Sequence, residues 1–311
     1  MSECPPYAPR GRVRTAEPMA RHTSWRVGGP AERFFEPADR ADLLAFVASL
    51  PPAEPVLWLG LGSNLLVRDG GFRGTVIALH GALDGLSREA ETSLFAEAGV
   101  HCARLAKFAQ AQALSGLGFM AGIPGTVGGA LAMNAGAWGG ETWSCVLEAE
   151  VVFRGGRTQW LAPEHFGVAY RTVIPPPGFL GFLAARLRVQ PDDGSHAQAT
   201  RQWLARRKAT QPVGRPSAGS TFRNPPGDFA ARLIESCGLK GRRVGGAEVS
   251  PVHANFIVTG PGASAADVEQ LIELMRATVL RQTGVHLETE VKIVGDKPGD
   301  GNRQSGTGGR A

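Results

Sequence analysis

The chain has 311 residues, 43% of them hydrophobic and 20% charged, a globular balance that excludes a disordered or fibrous protein. At about 100–200 residues per domain, this length implies two or three units. The net charge of +5 is spread out with no Lys/Arg block, so a nucleic-acid arm is excluded, while a solvated surface or attraction of a multiply phosphorylated ligand both remain.

Residues 1–18 are rich in Pro and Arg and are expected to be poorly ordered. Arg10, Arg12 and Arg14 lie beside no apolar h-region, so no signal peptide is read there. His22 to Phe35 carries a Gly-Gly-Pro turn between two apolar pieces, which predicts strand–turn–strand. Asp39 is placed to cap a helix bearing Leu43, Leu44, Val47 and Leu50, stopped by Pro51 and Pro52. Val56 to Leu59 reads as a buried strand that runs into Gly60-Leu61-Gly62-Ser63-Asn64. A strand followed by G-x-G-S-N is the context of a phosphate-cradling loop, in which successive N–H groups form an anion-binding concavity. It is not a Rossmann fingerprint, because the third glycine is missing and Leu65-Leu66-Val67 continues as strand. A turn at Gly70 to Gly74 and a strand at Thr75 to Leu79 follow.

Strands at 94–98, 147–153, 157–161 and 180–189 bracket a helix from Ala103 to Leu114. After that helix comes G-I-P-G-T-V-G-G-A-L-A-M-N-A-G-A-W-G-G, Gly122 to Gly140, with almost no charge. Glycine at this density lets the main chain touch something else directly. A short helix from Gly128 to Ala137 would turn its N-terminus to the same anion. Two such loops of different design suit an extended dinucleotide between two small α+β subdomains. Tyr170-Arg171 then precedes Pro175-Pro176-Pro177. Such an arginine either lies over an apolar patch or clamps a carboxylate, and the residues alone favour the first.

A composition shift at Pro191 to Ser195 marks a linker, and Thr200 to Ala209 a basic helix. The loop Ser217-Ala218-Gly219-Ser220-Thr221-Phe222-Arg223-Asn224 lacks the G-x-S-x-G frame of a nucleophile elbow. Its donors Ser220, Arg223 and Asn224, with Lys208 upstream, still make a candidate ligand surface. Asp228 to Cys237 predicts a helix with Phe229, Leu233 and Ile234 on one face, and His253 to Val258 a turn into strand. Ser264 with Asp267 forms a capping box before a long helix with Val268, Leu271, Ile272, Met275 and Val279 at core spacing. In a final strand, Val285 to Val294, Leu287, Thr289, Val291 and Ile293 face one way, and Glu288, Glu290 and Lys292 the other, solvated by default. The tail from Asp296 reads as disordered. Cys4, Cys102, Cys145 and Cys237 form no C-x-x-C pair, and no run nears the roughly 20 apolar residues of a bilayer span. A soluble cytoplasmic protein without a metal site is expected.

The motifs T-S-W-R-V-G-G-P-A, G-L-G-S-N-L-L-V, G-I-P-G-T-V-G-G-A-L-A-M-N-A-G-A, A-Y-R, A-G-S-T-F-R-N-P, H-A-N-F-I-V and L-E-T-E-V-K-I-V-G together resemble the UDP-N-acetylenolpyruvoylglucosamine reductases (MurB family) from His22 to Gly295. The resemblance implies an α+β protein: an FAD-binding fold of the vanillyl-alcohol-oxidase type, divided as 19–80 and 81–192, and a substrate-binding domain at 193–295. It implies that NADPH reduces the FAD and that UDP-N-acetylglucosamine enolpyruvate then receives the hydride, by a monomeric enzyme of peptidoglycan precursor synthesis. By the same resemblance Ser220 is the proton donor, and Arg171 and Glu290 assist the enol intermediate. Gly60, Gly62, Ser63, Asn64 and Leu65, with Gly122, Ile123, Pro124, Gly125, Thr126, Gly128, Gly129, Asn134, Gly136 and Ala137, correspond to the cofactor site. Tyr170, Lys208, Arg223, Asn224, His253 and Asn255 correspond to the substrate site, Lys208 at the UDP diphosphate. Only 49 positions separate Arg171 from Ser220 and no tyrosine follows Tyr170, so the chain resembles the shorter subclass that lacks a substrate-clamping tyrosine loop. The residues still leave open another FAD-linked oxidoreductase of the same fold, or a non-catalytic nucleotide-sugar binder.

Overall fold

The computed structural model describes residues 7–192 and 195–299. The chain forms two compact units. One gathers the chain up to Arg14 with Phe34–Leu61 and Val76–Ala209; the other gathers Thr15–Arg33, Gly62–Thr75 and the chain from Thr210 onward. Three strands, Arg12–Pro18, Pro30–Glu36 and Phe72–Ala78, carry the chain from one unit to the next and form, in that order, a sheet completed by Val56–Leu59.

In the first unit, helix α1 (Arg40–Ser49) starts where Asp39 accepts the Asp42 N–H at 2.9 Å. Its buried Leu43, Phe46 and Val47 pack with Phe35, Ile77, Leu79 and Leu183. Asp42 is 1% exposed, and its carboxylate accepts from Tyr7 and from the N–H groups of Arg10, Gly11 and Ala38. The larger core lies on an antiparallel sheet ordered Thr158–Leu161, Val146–Phe153, Phe179–Arg188, Ser93–Glu97 and Leu86–Ala90. Helices α2 (Cys102–Ala111) and α3 (Val127–Met133) supply Leu105, Ala109, Val127 and Leu131 to that core. A hairpin, Gly167–Ala169 with Thr172–Ile174, turns through Tyr170 and Arg171. Helix α4 (Ser195–Thr210) follows.

In the second unit, α5 (Ala230–Ser236) and α6 (Ala265–Thr283) enclose a core with the strands Arg243–Val244, Ala247–Val249 and Ile257–Thr259. The predicted capping box on α6 is present, and all five predicted core positions are 0% exposed. Asp69 adds a second cap by accepting the N–H groups of Ala265 and Ala266 at 2.9 and 2.8 Å. Lys292–Val294 pairs in parallel with Leu65–Val67.

Several local expectations are corrected. Arg12–Pro18 is a strand, not part of a disordered terminus. Its mostly exposed residues give no hydrophobic alternation from which a strand could be read. His22 to Gly29 is irregular rather than strand. It is held by Trp25, 0% exposed, whose indole N–H donates to the Ile257 carbonyl at 2.8 Å. Phe229 is 66% exposed, so the buried face of α5 is Ala230, Leu233 and Ile234. Of the predicted last strand only Lys292–Val294 is regular strand, and Thr289 adds an isolated bridge to Phe222; the alternation survives, with Leu287 and Val291 buried and Glu288 exposed, while Glu290 is half-buried rather than fully solvated. Cys4, two residues of the predicted linker (193 and 194) and the tail beyond 299 lie outside the described residues. No helix among the described residues is long and apolar enough to cross a membrane.

Candidate functional site

The second unit brings four sequence-distant pieces together through main-chain bonds. The Gly219 N–H donates to the Ser63 carbonyl at 3.1 Å, and the Thr221 N–H to the Asn255 carbonyl at 2.8 Å. The Glu290 N–H donates to the Thr221 carbonyl at 2.9 Å, and the Asn64 side-chain amide to the Glu290 carbonyl at 3.0 Å. Ser220 and Glu290 therefore share one frame with the loop Ser63–Asn64. Thr221 and Phe222 are 0% and 1% exposed and anchor the serine loop. Ser220 between them and Gly219 is half-buried, and its hydroxyl has no hydrogen-bond partner among the described residues. A Cβ on Gly219 would meet nothing within 4 Å, so the space beside the serine is open.

Two residues expected at the substrate act as braces of this loop. Asn255, 2% exposed, accepts the Phe222 N–H at 3.0 Å and donates to the Phe222 carbonyl at 2.8 Å, imitating a strand partner. His253 Nδ1 accepts the Asn255 N–H at 3.3 Å, and its ring stands edge-on to Phe256. Burial, with the nearby Lys240 charge, pushes the His253 pKa below the ordinary imidazole value, so the ring is neutral at pH 7. Asn224 accepts the Ala230 N–H at 3.1 Å at the start of α5, and the Arg223 N–H donates to the Glu288 carbonyl at 2.9 Å. Gly62 needs to be glycine, since its φ is +61° and a Cβ would lie 2.1 Å from the His22 carbonyl. It is buried, and neither its N–H nor that of Ser63 has an acceptor among the described residues. Two adjacent free donors of this kind fit an anionic oxygen. Leu65, 6% exposed, belongs to the strand below.

In the first unit, a Cβ on Gly60 would lie 2.5 Å from Thr126 Oγ1, so the end of the strand Val56–Leu59 abuts the cap of α3. Thr126 accepts the Gly129 N–H at 3.4 Å, and a Cβ on exposed Gly129 would meet only that hydroxyl oxygen, at 3.7 Å. Other glycines here answer to packing: Gly122 to the Trp138 ring, Gly128 to Ala98, and Gly136 to the Gly140 carbonyl, in a ladder with Ala137. Ile123 is buried, Pro124 is exposed, and Gly125 accepts the Cys102 N–H at 2.9 Å. Asn134 is 1% exposed, and its amide braces the loop through bonds to Glu141, Ala169 and Trp143. Arg171 donates to the carbonyls of Asn134 at 3.2 Å and Gly136 at 2.9 Å, with Tyr170 exposed beside it.

Lys208 points to solvent. Its neighbour Arg207, part of the predicted basic helix but not among the expected site residues, is half-buried and donates to the Gly122 carbonyl. On the same helix Trp203 stacks on Trp138, centroids 5.2 Å apart and planes at 13°. The only signal for this contact in the sequence was two tryptophans 65 positions apart.

Residues 31–162 match a family model described as an FAD binding domain, and 211–294 match the C-terminal domain of UDP-N-acetylenolpyruvoylglucosamine reductase. A curated UDP-N-acetylenolpyruvoylglucosamine reductase of Methylococcus capsulatus is 57% identical over 92% of this chain and 94% of its own length. The chain belongs to the UDP-N-acetylenolpyruvoylglucosamine reductase family. The crystal structure of the family member from Thermus caldophilus superposes with a TM-score of 0.75 at 34% identity, covering 91% of this chain and 98% of that one. 6-Hydroxy-D-nicotine oxidase of Arthrobacter nicotinovorans, at 13% identity and a TM-score of 0.55 over 91% and 89% of the two chains, shares the fold alone. The expected architecture, an FAD-binding fold of the vanillyl-alcohol-oxidase type followed by a MurB C-terminal domain, holds.

Proposed function

We propose that the protein is an NADPH-dependent reductase of UDP-N-acetylglucosamine enolpyruvate in peptidoglycan precursor synthesis, with Ser220 as its proton donor. The observation that carries the assignment of Ser220 is the frame around it: a hydroxyl without a partner among the described residues, on a loop fixed on both sides and bonded to the Glu290 segment. The N–H groups of Gly62 and Ser63, without an acceptor among the described residues, fit a phosphate of FAD. FAD bound there would supply the hydride chemistry that links NADPH to the vinyl carbon of the substrate.

The protein's own residues have the complementary task, stabilising charge and supplying a proton. The Arg171 guanidinium offsets charge on the substrate carboxylate as the enolate develops. Ser220 then delivers its proton to the carbon beside that carboxylate. A serine hydroxyl is a weak acid, so it serves only against a strong base such as this carbanion. Glu290 completes the set, as a hydrogen-bond partner of the enol. Arg223 and Tyr170 are assigned to substrate contact, and Asn224, His253 and Asn255 to holding the loop that makes it. The FAD-binding part is taken as 19–192, divided near residue 80, and the substrate part as 193–295. The protein is assigned to the shorter subclass, as a cytoplasmic monomer.

Ser220→Ala tests the proton donor. Reduction of the flavin by NADPH should survive, while anaerobic reoxidation by the enolpyruvyl substrate should slow by about 10²–10⁴-fold, the range for a positioned acid. Equal slowing of both half-reactions would remove the role.

A further inference from the structure

We propose that Asn134 is a positioning residue for Arg171, fixing its guanidinium through the carbonyl at the end of α3. The inference concerns where the guanidinium is held; its consequence for turnover rests on the reading of Arg171 given above. Asn134 closes α3 in the left-handed conformation, φ +46° and ψ +54°. Arg171 is also left-handed, at φ +53°. Asparagine tolerates this region through local hydrogen bonds, whereas arginine rarely adopts it, so Arg171 persists there because its surroundings over-determine it.

Those surroundings include a set of bonds that joins the two residues. The Asn134 amide nitrogen donates to the Ala169 carbonyl at 3.1 Å and to Glu141 Oε2 at 3.0 Å. Its amide oxygen accepts the Trp143 N–H at 3.1 Å. The bond to Ala169 ties the end of α3 to the strand that leads into the Tyr170–Arg171 turn. Arg171 returns across the same gap, one nitrogen to the Asn134 carbonyl and the other to the Gly136 carbonyl. The Asn134 side chain thus sets the direction of a main-chain acceptor and the start of the hairpin that donates to it. Any residue can offer a carbonyl; only an amide in this left-handed position offers two donors and an acceptor at once. A displacement of about 1 Å at a reacting group can cost on the order of 10²-fold, which gives such a brace kinetic weight.

Asn134→Gly is the informative change, because glycine keeps the left-handed backbone and removes only the amide. Two readouts apply to the FAD-loaded enzyme, with FAD content and far-UV dichroism as controls on folding. The first is labelling of Arg171 by phenylglyoxal, mapped by peptide mass spectrometry: the rate should rise several-fold in Asn134→Gly relative to wild type, and an unchanged rate overturns the proposal. The second is a cycle with Arg171→Ala on the anaerobic substrate half-reaction. Asn134→Gly alone should slow it by about 10-fold or more, with little further loss when Arg171 is already alanine. Equal losses in both backgrounds overturn the proposal. If Arg171→Ala is itself without effect, the reading of Arg171 fails, and the labelling rate still decides whether Asn134 positions it. Should Asn134→Gly fail to load FAD, Glu141→Gln, which weakens the acceptor of one Asn134 donor, carries the labelling arm, with the same rise expected and the same null result decisive.

Discussion

Asp42 ties the N-terminal segment to α1 with four hydrogen bonds on one carboxylate. Burial alone would raise its pKa, but the bonds from Tyr7 and from the N–H groups of Ala38, Arg10 and Gly11 outweigh that and hold it at about 2. With an unfolded value near 3.9, the folded state gains on the order of 2 kcal/mol from this group. The sign follows from the depressed pKa: the gain is complete above about pH 5 and disappears as pH falls through about 2. Asp42→Asn, which keeps one oxygen but turns N–H groups toward other donors, should cost about 3 kcal/mol at pH 7. The difference from wild type in denaturant titrations should shrink toward pH 2; a pH-independent difference would contradict the account. At this scale the sequence was legible where chemistry is local, as with Asp39, Ser264 and Asp267. It could not show partners that lie apart along the chain: Asn255 braces Phe222 through main-chain groups, and Asn134 bonds the Ala169 carbonyl, the Trp143 N–H and the Glu141 carboxylate, contacts that no spacing rule identifies. Lys208 and Arg207 differ by one position, and only the docked face of α4 distinguishes them.

Elements with strong periodicity were found at or near their observed bounds. The strand Val56–Leu59 entering a glycine loop, and α6 with its buried stripe, follow from composition alone. Arg12–Pro18 did not, because a strand whose faces are mostly exposed is defined by its ladder and not by its residues. His22 to Gly29 failed for the opposite reason: its apolar residues serve a single deep anchor, Trp25, and not a pleated face. Helix α4 was read as a basic helix with Lys208 at a ligand surface, and the Trp203–Trp138 stack makes it a support of the loop beginning at Gly122. An aromatic pair contributes about 0.5–1.5 kcal/mol beyond the area it covers. Trp203→Ala should therefore weaken FAD retention by about 10-fold in an ultrafiltration assay, with the far-UV spectrum preserved. Retention equal to wild type would show that α4 has no bearing on that loop.

Across the whole molecule, the chain passes between its two units five times, at 14/15, 33/34, 61/62, 75/76 and 209/210. That interleaving could not be read from composition, which suggests linear domains. The family could be read, because its motifs recur in order over nearly the whole length, and the match to the Methylococcus capsulatus reductase agrees. The charge of +5 suits a protein whose proposed ligands, FAD, NADPH and a UDP-sugar, all carry phosphates. The central claim is that one flavin links NADPH to the enolpyruvyl sugar nucleotide. It is tested most directly by the absorption spectrum of the purified protein, followed without oxygen through addition of NADPH and then of UDP-N-acetylglucosamine enolpyruvate. The flavin band should bleach with the first and return with the second. A reduced flavin that stays bleached until oxygen is admitted would contradict the substrate assignment, and a protein that neither carries nor accepts FAD would contradict the account as a whole.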